Sequence, residues 1–328
     1  MKDSMNIIAD CSFIIMLRTN MILFILYLSL VTATKKIRDY YPDIKASAEG
    51  WEVADPGDLP YADLTLQELS KMFSNDIGLM PGTTPLIKQE QKPRDSSLPS
   101  SFDARIKWPG CIQPLRNQLT CGSCYAYGTT GVLSDRFCIH SNGRVNITLS
   151  VQDMVSCAGY ICNGCNGCVY PYSWIYLETS GVVTEECFPY KNEVTECIPD
   201  TKRCIDGRVK YEKYYAKPWS TRYPYMNIDK IKKEIITNGP VAAVIIYTLD
   251  YLYYRGGIFT SDNRIMLGTH MVKLIGWGVG HVKGEPVEYW IIQDSQGIGF
   301  GDRGYSYIKM GIIGVDSHVS WSMPLLKS

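Results

Sequence analysis

The stretch LTCGSCYAYG, Leu119–Gly128, sets Cys121 and Cys124 among glycine, serine and aromatic side chains. Three chemistries use such a pair: a redox dithiol, half of a metal site, or a nucleophile beside a structural cysteine. A redox Cys-x-x-Cys is expected in a reduced cytosolic chain beside a βαβ pattern, and neither condition appears here. Zinc needs a second ligand pair, which only CNGCNGC at Cys162–Cys168 offers, and that run also mimics part of an iron–sulfur spacing. Disulfides explain it better, because eleven of the 12 cysteines fall between Cys111 and Cys204, the mark of an oxidising compartment. No metal and no cofactor is expected.

The third chemistry explains more. Ser123 to His140 reads as a helix, with Ala126, Thr130, Leu133 and Phe137 stepping along one face. Cys124 then falls in the first turn, where the positive end of the helix dipole favours a thiolate. A nearby imidazolium would favour it further, and the thiolate is the nucleophile. Cys121, just outside the helix, is left for a disulfide.

The rest of the 328-residue chain reads as a folded globular protein rather than a binder of polyanions. Its 33 basic and 33 acidic side chains cancel, which removes the electrostatic case for nucleic acid or an anionic membrane. MILFILYLSLVTAT, Met21–Thr34, is an apolar run about as long as a signal-peptide core and short for a bilayer span. Residues 1–34 are therefore expected to be a signal peptide, the alternatives being a membrane anchor or a buried strand; Met16 is a second candidate start, which would leave Arg18 as the positive flank. Residues 35–97 follow without a cysteine. They hold one helix, TLQELSKMF at Thr65–Phe73, in which Thr65 and Glu68 have capping-box spacing and Leu66, Leu69 and Phe73 form an apolar stripe; Gly78 can end it. MPGTTPLIKQEQKPRDSSLPS reads as an extended, exposed linker. A helical segment on an accessible linker suggests a removable pro-segment, with a small independent module as the alternative.

NQLTCGSCYAYG resembles the active-site segment of papain-like cysteine proteases, and the resemblance runs from LPSSFDAR at Leu98 to the end of the chain. DRFCIH, GCNGC, ECFPY, NGPV, GTHMVKLIGWG and EYWIIQDSQGIGFGDRGYSYIKMG follow in the family's order, and the cathepsin B-like members are the most similar. The stretch around EGWEV is similar to their short pro-region. The resemblance implies a two-lobed α+β papain-like domain over 98–328, with a helical left lobe, a β-barrel right lobe and the cleft between them. VAAVIIYTL, HMVKLIGWG, EYWIIQD and YSYIKM indeed read as strands.

The resemblance also implies roles. Cys124 is the nucleophile and His270 its base and acid. Gln118, with the Cys124 backbone N–H, holds the oxyanion. Gly122, Ser123, Gly167, Cys168, Thr269 and His318 fall along the substrate cleft. Cys111–Cys138 and Cys121–Cys165 are implied as disulfides. Cys157, Cys162, Cys168, Cys187, Cys197 and Cys204 are enough for three more, their pairing left open. Asn146-Ile-Thr is a glycosylation sequon. Protein or peptide substrates are implied as partners, with the chain's own pro-segment as intramolecular inhibitor. No nucleic acid, and no membrane after signal removal, is expected. The destination is the secretory pathway, ending in a lysosome- or vacuole-like compartment or outside the cell.

The chain departs from the family at the third catalytic position. Where the family has Asn-Ser-Trp-Gly, this chain has Asp294-Ser295-Gln296-Gly297. Asp294 can accept the imidazole hydrogen bond as asparagine does, and its charge should raise the histidine pKa. Gln296 replaces a ring that shields the pair, so weaker shielding is expected. Phe300 and Tyr125 are aromatic-for-aromatic changes. The segment CFPYKNEVTECIPDTKRC, where cathepsin B carries its occluding-loop histidines, has none. Endopeptidase rather than carboxydipeptidase behaviour is expected. His318 in place of an acidic residue should remove a preference for arginine. Cys168 either narrows the cleft or bonds to Cys162. The alternative function is a weakened or inactive papain-fold protein that binds peptides or serves as a scaffold.

Overall fold

The computed structural model describes residues 35–70, 97–169, 171–198, 203–223, 227–261 and 265–327. The predicted signal peptide, residues 80–96 of the predicted linker and the end of the predicted Thr65–Phe73 helix lie outside them.

Two hydrophobic cores define two lobes. The first gathers around helix α4, Cys124–His140, which starts one residue inside the predicted boundary. The predicted face of Ala126, Thr130, Leu133 and Phe137 is buried, but so is nearly every other position of the helix. The reason is its place: helices α5 (Val151–Cys157) and α6 (Tyr172–Thr179) pack on one side, and the long strand of the other lobe on the other. A helix buried all round must pair its polar side chains, within itself or with its neighbours. Thr129, Thr130 and Ser134 do so by donating to the carbonyls one turn back, at 2.8, 2.6 and 2.7 Å. Gly128 lets the long strand approach, since a Cβ there would meet Met271 at 2.7 Å.

The second lobe is a mostly antiparallel sheet. Its strands are β1 (Trp51–Val53), β2 (Phe102–Asp103), β3 (Val241–Thr248), β4 (Tyr254–Phe259), β5 (Met266–Val282), β6 (Glu285–Gln293), β7 (Tyr305–Lys309) and β8 (His318–Ser320). The order is β1-β4-β7-β6-β5-β3-β8, with β2 on β5 and only β4–β7 parallel. The four predicted strands correspond to β3, β5, β6 and β7. Short helices complete the chain: α1 (Tyr41–Ser47), α2 (Leu66–Ser70), α3 (Ala104–Lys107), α7 (Ile228–Asn238) and α8 (Leu249–Leu252). In α7, Asn227 caps the first turn by accepting from Lys230 N at 2.8 Å, and Ile231 and Ile235 are buried.

Buried charges join the lobes. Asp135 of α4 meets Lys273 of β5 at 2.6 Å. Its neighbour Arg136 binds Glu234 of α7 at 2.8 Å and the Pro240 carbonyl at 2.9 Å.

Residues 35–70 lie on the sheet lobe. Trp51 packs on Phe259, with ring centroids 5.0 Å apart, and β1 pairs antiparallel with β4. Gly257, at φ +75°, allows this pairing, because a Cβ there would meet the Gly50 carbonyl oxygen at 2.5 Å. Tyr253 donates to the Ile37 carbonyl at 2.7 Å. The predicted capping box is present: the Thr65 N–H donates to Glu68 Oε2 at 2.8 Å and the Glu68 N–H to Thr65 Oγ1 at 3.3 Å.

Candidate active site

Cys124 is the only free cysteine among the described residues, and it is 2% exposed. It opens α4, while Cys121 is tied to Cys165 as implied. The loop before the helix is held tightly. The Gly122 N–H donates to the Cys165 carbonyl at 2.8 Å, and a Cβ at Gly122 would meet that oxygen at 2.5 Å. The Ser123 and Tyr190 hydroxyls lie 2.9 Å apart, and Tyr190 also donates to the Gln118 carbonyl at 2.7 Å. Asn192 Oδ1 accepts from the Thr120 and Cys121 N–H groups, each at 3.1 Å. Neither was expected at the site: Tyr190 ends the ECFPY motif, where only its place in the family's order was read, and Asn192 follows it in the histidine-free segment.

His270 lies on β5, opposite Ile245 of β3. Its Nε2 is 2.9 Å from Asp294 Oδ1, at the end of β6, and it shares a side-chain hydrogen bond with Cys124. Sheet register thus delivers the imidazole between a thiol on the helix and a carboxylate on the next strand. Burial pulls the imidazole pKa down. The Asp294 charge and hydrogen bond, with the Cys124 hydrogen bond, outweigh it and lift it to about 10. The predicted effect of Asp294 has the expected sign.

The shielding differs from expectation. His270 is 2% and Asp294 3% exposed despite Gln296. Two tyrosines do the covering. Tyr247 stands edge-on to His270, with centroids 5.5 Å apart, and donates to Gln296 Oε1 at 3.0 Å. Tyr251 donates to Asp294 Oδ2 at 3.3 Å. Gln296 therefore works as an acceptor that holds the covering ring of Tyr247.

Gln118 is buried beside the helix start. Ser295 Oγ donates to its Oε1 at 2.6 Å, so the amide nitrogen faces the other way and donates to the Cys121 carbonyl at 3.1 Å. One further N–H of that nitrogen is left.

The cleft residues are placed unequally. A cavity of about 430 Å³ is lined by Gln118, His270, Gln296 and Phe300, and by Leu59, Tyr61 and Leu69 of the N-terminal segment. Gly167, Cys168 and His318 do not line it. Gly167, at φ +102°, lies beside the Cys162–Cys168 disulfide, so the Cys168 side chain turns into the lobe and does not narrow the cleft. Thr269 is buried next to His270 on β5. His318 is half-buried on β8, opposite Val244, and burial lowers its pKa. Cys111–Cys138 forms as implied, and the open pairings are Cys157–Cys197 and Cys187–Cys204.

A thiol at a helix start, an oriented imidazole and an amide donor beside them define a cysteine-protease type of site on a two-lobed α+β fold. The profile of the papain family cysteine proteases matches residues 98–323. The chain belongs to that family. It is 36% identical over 234 residues to cathepsin B-like cysteine proteinase 3 of Caenorhabditis elegans, an alignment that spans 65% of this chain and 62% of that one. It is 30% identical over 317 residues to cathepsin B-like cysteine proteinase 4 of the same organism, covering 87% and 90%. The fold is similar to that of a procathepsin B from Trypanosoma congolense, with a TM-score of 0.73 at 23% identity over 89% of this chain and all of that one.

Proposed function

We propose that the protein is a cysteine endopeptidase made as a zymogen. The observation that carries this is the Cys124–His270–Asp294 line, with the thiol at the start of a buried helix and the imidazole held from its far side. The Cys124 thiolate attacks the scissile carbonyl. The Cys124 N–H and the Gln118 amide receive the oxyanion. His270 gives its proton to the leaving amine, and a thioester remains. Water, deprotonated by His270, then releases the acid.

Residues 35–97 act as the pro-segment. Leu59, Tyr61 and Leu69 share the cavity with Gln118 and His270, which supports their blocking it until removal. The signal at residues 1–34 would route the chain to a lysosome-like compartment or outside the cell; no described helix is long and apolar enough to cross a membrane. Without occluding-loop histidines, the enzyme cleaves inside chains, and His318 disfavours arginine at the second subsite.

A second reading has one observation in its favour. The motif departs from the family's at Asp294 and Gln296, and the Asp294 charge favours the protonated imidazole over the neutral base that the hydrolytic step needs. The protein would then hold peptides more than turn them over. The test uses acid-processed protein on an internally quenched peptide and on a peptide with a free carboxyl terminus. Cleavage of the first and no release of dipeptides from the second is expected, with Cys124→Ala inactive on both. Efficient dipeptide release would overturn the endopeptidase assignment. Binding without turnover would favour the second reading.

A further inference from the structure

A carboxylate in place of an amide has two accepting oxygens and no donor. In Asp294, Oδ1 faces His270. Oδ2 takes the Tyr251 hydroxyl at 3.3 Å, and that hydroxyl lies 2.7 Å from Ser306 Oγ. Tyr251 comes from α8 and Ser306 from β7, so three separate elements meet at one carboxylate. All three side chains are buried. A phenol has one proton, and a carboxylate can only accept. The order of donation is therefore Ser306 to Tyr251 to Asp294, with His270 Nε2–H donating to the other oxygen.

We propose that Tyr251, backed by Ser306, is a positioning residue of this site: its hydroxyl occupies the second oxygen of Asp294 and so lets a carboxylate stand where an amide would otherwise orient His270. The inference rests on the reading of Cys124 and His270 as the catalytic pair. Its physical basis is twofold. A buried carboxylate oxygen without a donor is costly, so the hydroxyl fixes one side-chain rotamer and one imidazole pose. The same hydrogen bond draws negative charge away from Oδ1 and weakens the grip of Asp294 on the imidazolium. That matters for the hydrolytic step, in which His270 must be neutral to accept a proton.

The surrounding groups do not supply this donor. Cys124 from α4 and Asp294 act on His270. Tyr247 from β3 and Tyr251 from α8 feel Asp294, and Tyr61 of the N-terminal segment feels Tyr247. Burial, followed by the Asp294 charge, holds Tyr247 and Tyr251 well above the ordinary phenol value, so both are neutral donors. Arg116 and Lys273 line the small cavity behind Asp294, each beside its own acid, Glu185 and Asp135.

Tyr251→Phe keeps the ring, which packs edge-on against Phe259 and Phe300 with centroids 5.3 Å away in each case. The test is an NMR titration of His270 in the full chain, which has only four histidines to resolve. Tyr251→Phe and Ser306→Ala are compared with wild type, each also in an Asp294→Asn background. Tyr251→Phe should raise the His270 midpoint by about half a pH unit or more. Ser306→Ala should raise it less, and both shifts should vanish in the Asp294→Asn background. In the processed enzyme, Tyr251→Phe should lower kcat more than it changes KM. An unmoved midpoint, or an equal shift when Asp294→Asn is also present, overturns the inference. If Tyr251→Phe fails to fold, Ser306→Ala decides. The titration needs no turnover. Inactivity with a moved midpoint therefore sinks the peptidase reading alone, and activity with an unmoved midpoint sinks this one alone.

Discussion

His270 has a thiol on one side and a carboxylate on the other, and the carboxylate governs when it carries a proton. Its pKa is raised in the folded state, from the ordinary 6.5 to about 10. The stability linked to that proton is therefore fully present below pH 6.5 and is lost as pH rises through about 10. Asp294→Asn removes the charge that lifts the imidazole. The variant's unfolding free energy, measured by urea titration from pH 6 to 10, should decline less steeply over that window than wild type. A slope equal to wild type would show that Asp294 does not hold the proton. At Gln118 the expected effect is kinetic. Gln118→Ala removes one oxyanion donor and should lower kcat by roughly 10²–10³-fold with little change in KM, measured on the processed enzyme. A change confined to KM would remove Gln118 from that role.

Among the elements, β1 is the informative one. Trp51 anchors it against Tyr254 and Phe259, and its indole N–H has no partner among the described residues. The contribution of Trp51 is thus packing, not hydrogen bonding. Trp51→Ala should cost about 3–5 kcal/mol of the docking of residues 35–70 and hasten their removal by added protease. Trp51→Phe should do much less. Equal effects would mean that the indole nitrogen matters after all. The elements were not equally legible in the sequence. β3, β5, β6 and β7 showed because they carry β-branched and aromatic runs, buried almost throughout in β3 and the middle of β5 and alternately in β7. β1, β4 and β8 did not, since strands of three to six residues, β4 with two glycines among them, are too short to show a period. The pairing of β1 with β4 is a contact between distant segments, which no local pattern announces.

Across the whole molecule, the cleft depends on how firmly the two lobes are joined. Lys273→Met would leave the Asp135 carboxylate buried without its cation and should cost about 3–5 kcal/mol, read from the urea midpoint. A joint change of Asp135→Leu and Lys273→Met should recover much of that loss; if it does not, the pair does more than compensate itself. None of this joint was visible beforehand, because Asp135 and Lys273 look like ordinary solvated charges until the fold buries them. Cys124 and His270 were legible because each stands in a family motif, and Asp294 because it occupies the motif's asparagine position. The tyrosines that cover it were not. Tyr247 lies in a run read only as a strand and Tyr251 in a short helix that no sequence pattern marked, and only tertiary structure turns their hydroxyls toward Gln296 and Asp294.

The central claim is that Cys124 and His270 form a working thiolate–imidazolium pair beside a carboxylate. Active-site titration of the acid-processed protein with an epoxide inhibitor of cysteine proteases tests it most directly, with Cys124→Ala as control. Stoichiometric labelling of wild type, none of the control, and peptide hydrolysis that falls in step with labelling are expected. Absence of labelling in folded, processed protein would contradict the account and leave the cleft as a peptide-binding groove.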